Sequence, residues 1–151
     1  MPTMTGPFVR RIRKEDVSGI YEIEKNSFRH PYPPYLIDLL FETRRQAFFV
    51  AEIRDRVVGY AVAAMDAHGF GHVISVAVSY EMRRRGIGKT LMRRLIQELK
   101  GIGVSILRLE VEKDNVAAQK MYEGLGFKLT GVIKDYYEVG GDAYVMTLSL
   151  G

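Results

Sequence analysis

The sequence predicts an α/β fold in which helices pack on one mixed sheet. Three observations carry this. Apolar and charged residues alternate from Ile106 to Val111, the period of a strand. Apolar residues recur at three- and four-residue spacing from Gly88 to Lys100, the period of a helix. Strand-like pairs with short connections stand at either end of the helical segments, and hairpins flanking helices imply a mixed sheet.

In chain order, Phe8 to Arg13 is a first strand, and a helix follows from about Asp16, a capping residue, through Phe28. Arg29 to Tyr35 holds Pro31, Pro33 and Pro34, which break a helix. A second helical run covers Leu36 to Thr43. Ala47 to Ile53 and Val57 to Met65 read as antiparallel strands joined by the charged turn Arg54-Asp55-Arg56. His72 to Val78 is the next strand. In the helix from Gly88 to Lys100, Leu91, Met92, Leu95, Ile96 and Leu99 share one face, and Gly101 and Gly103 end it. Along Ile106 to Val111, Leu107, Leu109 and Val111 alternate with Arg108, Glu110 and Glu112. Asn115 caps a helix carrying Ala118, Met121, Tyr122 and Leu125, with Gly126 closing it. Phe127 to Ile133 and Asp142 to Leu150 complete the sheet.

The chain has 151 residues, 47% of them apolar, and reads as one domain over 1–151, since no repeat, linker or low-complexity tract divides it. It has no cysteine, which excludes a disulfide framework, Cys-based zinc, iron–sulfur clusters and a cysteine acyl-enzyme. No metal site is expected. The net charge of +4 is small and dispersed, so it does not by itself point to a nucleic acid. The apolar run Val57 to Met65 is too short to span a bilayer, and the N-terminus lacks an apolar signal core. No membrane is expected, and the cytoplasm is the expected compartment.

Arg83-Arg84-Arg85-Gly86-Ile87-Gly88-Lys89 lies between a strand and a helix. Two glycines let the backbone turn its N–H groups onto an anion, and the helix N-terminus adds partial positive charge, a combination suited to pyrophosphate. It is not a P-loop, which needs glycine where Arg83 stands, nor a dinucleotide loop, which needs Gly or Ala where Leu91 stands. A solvated basic turn and an RNA-contacting patch are the other readings.

The remaining pattern, Arg-x-x-Gly-x-Gly after a strand, resembles the acetyl-CoA loop of the GNAT acetyltransferases. Downstream, Leu109-Glu110-Val111, Asn115-Val116-Ala117-Ala118 and Met121-Tyr122-Glu123-Gly124-Leu125-Gly126-Phe127 are similar to that family's motifs at its spacing. Gly71 to Val78 and Tyr136 to Tyr144 resemble the ribosomal-protein-alanine and archaeal N-terminal acetyltransferases within it. Residues 47–150 carry the resemblance strongly and residues 8–46 only loosely. It implies a central, mostly antiparallel sheet with splayed middle strands flanked by helices. It also implies acetyl-CoA as acetyl donor, held by the backbones of Val76, Ala77 and Val78, by Arg83, Arg84, Arg85, Gly86, Ile87, Gly88 and Lys89, and by Asn115 and Tyr122.

An amine attacking a thioester needs a free lone pair, a stabilised oxyanion and a proton for the leaving thiolate. An α-amine, with a pKa near 7.7–8.0 against about 10.4 for lysine, is far more often neutral in the cell. Tyr122 is the candidate acid; its alternative is a packing tyrosine on an apolar helix face. Glu110 is the candidate base, its alternative a solvent-facing carboxylate paired with Arg108. His72, of a residue type with ordinary pKa near 6.5, is the other base or water relay.

The resemblance implies that Phe28, Pro31 and Tyr32 in the loop after the first helix, with Tyr136 and Tyr137 in the hairpin loop before the last strand, close over the peptide. The loop Phe28 to Pro34 lacks the glutamate of some archaeal relatives, so a base there and their substrate preference do not carry over. The expected activity is direct transfer of acetyl from acetyl-CoA to protein or peptide N-termini, ribosomal and nascent chains among them, by a monomer or homodimer. Acetylation of lysine side chains or small amines is the enzymatic rival, and a CoA-binding or RNA-binding module the non-enzymatic one.

Overall fold

The computed structural model describes residues 6–151. The first five residues of the span read as one domain, and the start of the N-terminus read as lacking a signal core, lie outside them.

The elements are β1 (Phe8–Arg11), α1 (Val17–Ser27), α2 (Pro34–Arg44), β2 (Phe48–Ile53), β3 (Arg56–Met65), β4 (Phe70–Val78), α3 (Ile87–Gly101), β5 (Ile106–Glu112), α4 (Val116–Gly124), β6 (Lys128–Glu138) and β7 (Gly141–Ser149). The strands form a seven-stranded sheet in the order β1-β2-β3-β4-β5-β7-β6. Pairing is antiparallel for β1–β2, β2–β3, β5–β7 and β6–β7, and parallel for β4–β5. The β4–β5 ladder joins Phe70, Gly71 and His72 to Ile106, Leu107 and Arg108, and both strands run on past it. The chain falls into two compact units, one up to Ala63 with Ser75–Leu95, the other Ala64–Ile74 with Ile96–Gly151.

In the first unit, Phe48, Phe49, Val50 and Ala51 of β2 are all fully buried, so this strand is covered on both faces rather than alternating. Arg54 and Asp55 both take left-handed conformations (φ 52° and 65°), which gives a tight primed turn and leaves Arg56 to open β3. A Cβ on Gly59 would stand 3.0 Å from Leu91 Cδ1 and 3.1 Å from Ala77 O, so β3 needs glycine there.

Two expectations in this unit are corrected. Asp16 stands at the N-cap position of α1, but its side chain makes no capping bond there. It closes a 3₁₀ turn, where its carboxylate accepts Arg13 N at 2.7 Å and two Arg10 donors at 2.8 and 2.9 Å. Pro34 does not break a helix but starts α2, because the first helical position has no intrahelical use for an N–H.

In the second unit, Leu107, Leu109 and Val111 are buried while Arg108 is exposed, as the alternation predicts. Asn115 caps α4 as expected, its Oδ1 accepting Ala118 N at 3.1 Å. The correction here concerns Tyr136 and Tyr137. They do not lie in a hairpin loop but inside β6, which continues past an irregularity at Asp135 (φ 54°).

Candidate active site

The β4–β5 register sets His72 opposite Arg108. Glu110, two residues further along β5, projects from the same face of the strand as Arg108. His72 Nε2 and Glu110 Oε1 are 2.6 Å apart, and Arg108 Nε donates to Glu110 Oε2 at 3.1 Å. The Glu110 side chain is only 9% exposed, against 37% for His72 and 55% for Arg108. Burial alone would raise the Glu110 carboxyl, but the His72 hydrogen bond and the neighbouring His72 and Arg108 charges outweigh it, so the group sits below the ordinary carboxylate value. The two candidate bases thus form one pair. Glu110 is neither solvent-facing nor paired with Arg108 alone.

Tyr136 reaches the same cluster from β6: its phenol is pushed up by burial and by the Glu110 carboxylate. The Tyr136 and Tyr137 rings meet edge to face at 4.9 Å. Tyr122 is buried on α4 with its ring edge-on to Phe127 at 5.8 Å. Burial and the nearby Tyr137 push its phenol well above the ordinary value of 10.0, so it stays protonated at any pH near neutrality. The packing role and the presence of a protonated hydroxyl hold together.

In the first unit, Arg84 (φ 65°) and Gly86 (φ 78°) both take left-handed conformations in the loop before α3. A Cβ on Gly86 would meet nothing within 4 Å, so the backbone is open to close approach. Thr90 N bonds back to Gly86 O at 3.0 Å, and the amides before it stand at the helix N-terminus, where no intrahelical acceptor exists. This cradle fits a pyrophosphate. Arg84 and Arg85 are exposed beside it, with Lys89 half-buried.

Arg83 is engaged elsewhere: Nε donates to Val78 O at 3.0 Å and Nη2 to Ser27 Oγ at 3.2 Å. It ties the end of β4 to α1. Ile87 is 2% exposed, so only its backbone is left for an anion. Ala77 is buried on β4, between half-buried Val76 and Val78. Phe28 ends α1, and Pro31 and Tyr32 follow in the loop, Pro31 exposed and Tyr32 half-buried. Among the described residues, no cluster of three or more His, Asp or Glu could hold a metal, and no helix is long and apolar enough to cross a membrane.

One group escaped the sequence reading. Glu24 is 2% exposed within α1 and accepts the Tyr60 hydroxyl, the Ser75 hydroxyl at 3.0 Å and Tyr32 N at 3.0 Å. A signal existed, because Ile20, Ile23, Glu24 and Ser27 fall at the i, i+3, i+4, i+7 spacing of one helix face, which puts a carboxylate at a core position.

The loop before α3 offers a glycine-turned anion cradle at a helix N-terminus, and strands β4 and β5 carry a carboxylate–imidazole pair. Known proteins fix the family: residues 17–127 match the Acetyltransferase (GNAT) family, and the chain belongs to it. It is 38% identical over 139 residues to an uncharacterized N-acetyltransferase of Methanocaldococcus jannaschii, covering 91% of this chain and 88% of the relative. It is 34% identical over 155 aligned positions to an N-alpha-acetyltransferase of Sulfurisphaera tokodaii, covering 94% and 92%. Among solved structures it is similar to the ribosomal-protein-S18-alanine N-acetyltransferase of Escherichia coli, with a TM-score of 0.87, 26% identity and coverage of 97% and 95%.

Proposed function

We propose that this GNAT acetyltransferase transfers the acetyl group of acetyl-CoA to the α-amine of protein or peptide N-termini, as a single catalytic domain. The observation that carries the reading is the Glu110–His72 pair at 2.6 Å, in a chain alike over nearly its whole length to a relative named N-alpha-acetyltransferase. The backbones of Val76, Ala77 and Val78 hold the pantetheine arm. The Gly86–Lys89 amides with Arg84 and Arg85 hold the pyrophosphate, and Asn115 adds a CoA contact while it caps α4. Phe28, Pro31, Tyr32, Tyr136 and Tyr137 contact the peptide.

In the reaction the amine nitrogen bonds to the thioester carbonyl carbon, the carbon–sulfur bond breaks, and the thiolate takes a proton. A carboxylate held below its ordinary range is a poor final acceptor for a proton from an ammonium near pKa 7.7–8.0. Glu110 therefore serves best by orienting the imidazole of His72, which receives the amine proton, directly or through water. The Tyr122 hydroxyl, protonated throughout, donates to the departing sulfur. With no cysteine in the chain, no cysteine acyl-enzyme intervenes.

Cytoplasmic action on ribosomal or nascent chains belongs to the same reading. Incubation with acetyl-CoA and a panel of peptides differing in their first two residues, followed by mass spectrometric location of the acetyl group, tests it. Acetyl on the α-amine is expected. Transfer confined to lysine side chains or free small amines refutes it.

A further inference from the structure

We infer that Glu24 is a positioning residue, whose buried carboxylate brackets the loop after α1 to strands β3 and β4 and so sets where that loop meets the peptide. The inference rests on the proposed acetylation of N-terminal peptides. Its ground is the division of labour between the two carboxylate oxygens. Oε2 accepts the backbone N–H of Tyr32 at 3.0 Å, inside the loop. Oε1 accepts Ser75 Oγ at 3.0 Å and the Tyr60 hydroxyl, which are themselves 3.2 Å apart.

Ser75 directly precedes Val76, Ala77 and Val78 on β4, the segment assigned to acetyl-CoA, and Tyr60 is fully buried on β3. One side chain therefore fixes a peptide-loop amide to the strand that carries the donor site. At 2% exposure Glu24 has almost no access to substrate, so it acts through the loop rather than on reacting atoms. Two of its three donors, Tyr60 and Ser75, are also buried, and burying a carboxylate is tolerable only because hydrogen-bond donors are supplied to it. A second tie at the same end of α1 runs from Arg83 to Ser27 Oγ at 3.2 Å, while the Glu24 bracket reaches the loop backbone itself.

Loss of the bracket removes the Glu24 acceptor from the Tyr32 amide and lets Phe28, Pro31 and Tyr32 shift, while the strand bearing Val76 to Val78 stays paired in the sheet. The effect should therefore fall on the peptide and not on acetyl-CoA. Steady-state kinetics with each substrate varied separately, for wild type, Glu24→Leu and Glu24→Gln, read this split, with thermal unfolding measured alongside. Leucine keeps the bulk but removes the shared acceptor of the three donors, and raises the peptide KM about tenfold or more while the acetyl-CoA KM stays within about twofold. Glutamine can turn its oxygen to Tyr32 N–H and its NH₂ to the two hydroxyls, each of which can accept, so it holds the peptide KM within about threefold of wild type.

A folded Glu24→Leu protein with unchanged peptide KM overturns the inference. So does one whose two KM values rise together, or a Glu24→Gln protein that falls as far as the leucine variant. Absence of α-amine transfer by the wild-type protein overturns the functional reading as well, so the two failures are distinguishable. If Glu24→Leu does not fold, Tyr32→Pro against Tyr32→Ala decides: both lose the ring and only proline loses the N–H. Proline should raise the peptide KM about fivefold beyond alanine, and equal values overturn the inference.

Discussion

Replacing Glu110 with glutamine should cost activity in a way that depends on pH, and the size of the loss follows from what the Glu110–His72 pair is asked to do. The carboxylate lies 2.6 Å from His72 Nε2 and orients the imidazole that is proposed to take up the amine proton. A glutamine keeps the shape but not the charge, so the variant can use only substrate that arrives with its amine already neutral. For an α-amine of pKa 7.7–8.0, the neutral fraction at pH 7 is about one in six to one in eleven. kcat/KM should therefore fall about six- to elevenfold at pH 7. At pH 9 more than about nine-tenths of the amine is neutral, so the loss should shrink to about 1.1-fold.

Stability should change little, because the Arg108 arm of the cluster is 55% exposed and such a pair contributes at most about 1 kcal/mol. The assay is mass spectrometric quantification of acetylated peptide under kcat/KM conditions at several pH values, with Tm recorded for each protein. A loss of similar size at pH 7 and pH 9 refutes the reasoning, since it would require the pair to act in the transition state beyond deprotonation. No loss at pH 7 refutes it as well.

Tyr122→Phe keeps the ring against Phe127 and removes the hydroxyl, so kcat should fall about a hundredfold or more with Tm nearly unchanged, as measured by single-turnover kinetics and thermal unfolding. Gly86→Ala meets open space but forces a side chain into a φ of 78°, a cost of about 1–2 kcal/mol, so the acetyl-CoA KM should rise up to about thirtyfold while the peptide KM holds. Asp16 gives a pH signature in stability. Burial would raise its carboxyl, but the Arg10 hydrogen bonds and the Arg13 amide outweigh this and hold it below the ordinary value. A depressed carboxylate contributes stability that is present above its unfolded value near 3.9 and is lost as pH falls through its lower folded value. Asp16→Asn should therefore lower Tm at pH 7, and the gap to wild type should close on acidification below about pH 4, followed by circular dichroism.

The periodic elements were legible because burial there follows local spacing: Leu91, Leu95 and Leu99 on α3, and Leu107, Leu109 and Val111 on β5, are all buried as their positions predict. The tight turn before α3 was legible for a similar reason, since a left-handed φ at Gly86 is what glycine is suited to. Where propensity and tertiary context part, the reading slipped. Pro34 reads as a breaker until its position at the head of α2 is known, and two adjacent tyrosines with high strand preference extend β6 through a segment read as a loop.

The chemistry of the pair was legible only in halves. Alternation places Glu110 on the polar stripe of β5 but cannot say which residue of β4 lies beside it, because that depends on register. A slip of one residue would carry the His72 side chain to the opposite face. Close packing next to the pair bears on that register: a Cβ on Gly71 would stand 3.0 Å from both Leu107 Cδ1 and Val104 Cγ1, so position 71 has no room for a side chain. Glycine at position 71 thus leaves room for the close packing beside His72, whereas glycine at position 86 supplies a left-handed φ in open space. Gly71→Ala should accordingly disturb the Glu110–His72 contact without altering either residue, and its activity should lose the same pH-dependent part as Glu110→Gln. A Gly71→Ala protein with wild-type kcat/KM at pH 7 would show that the register is held elsewhere.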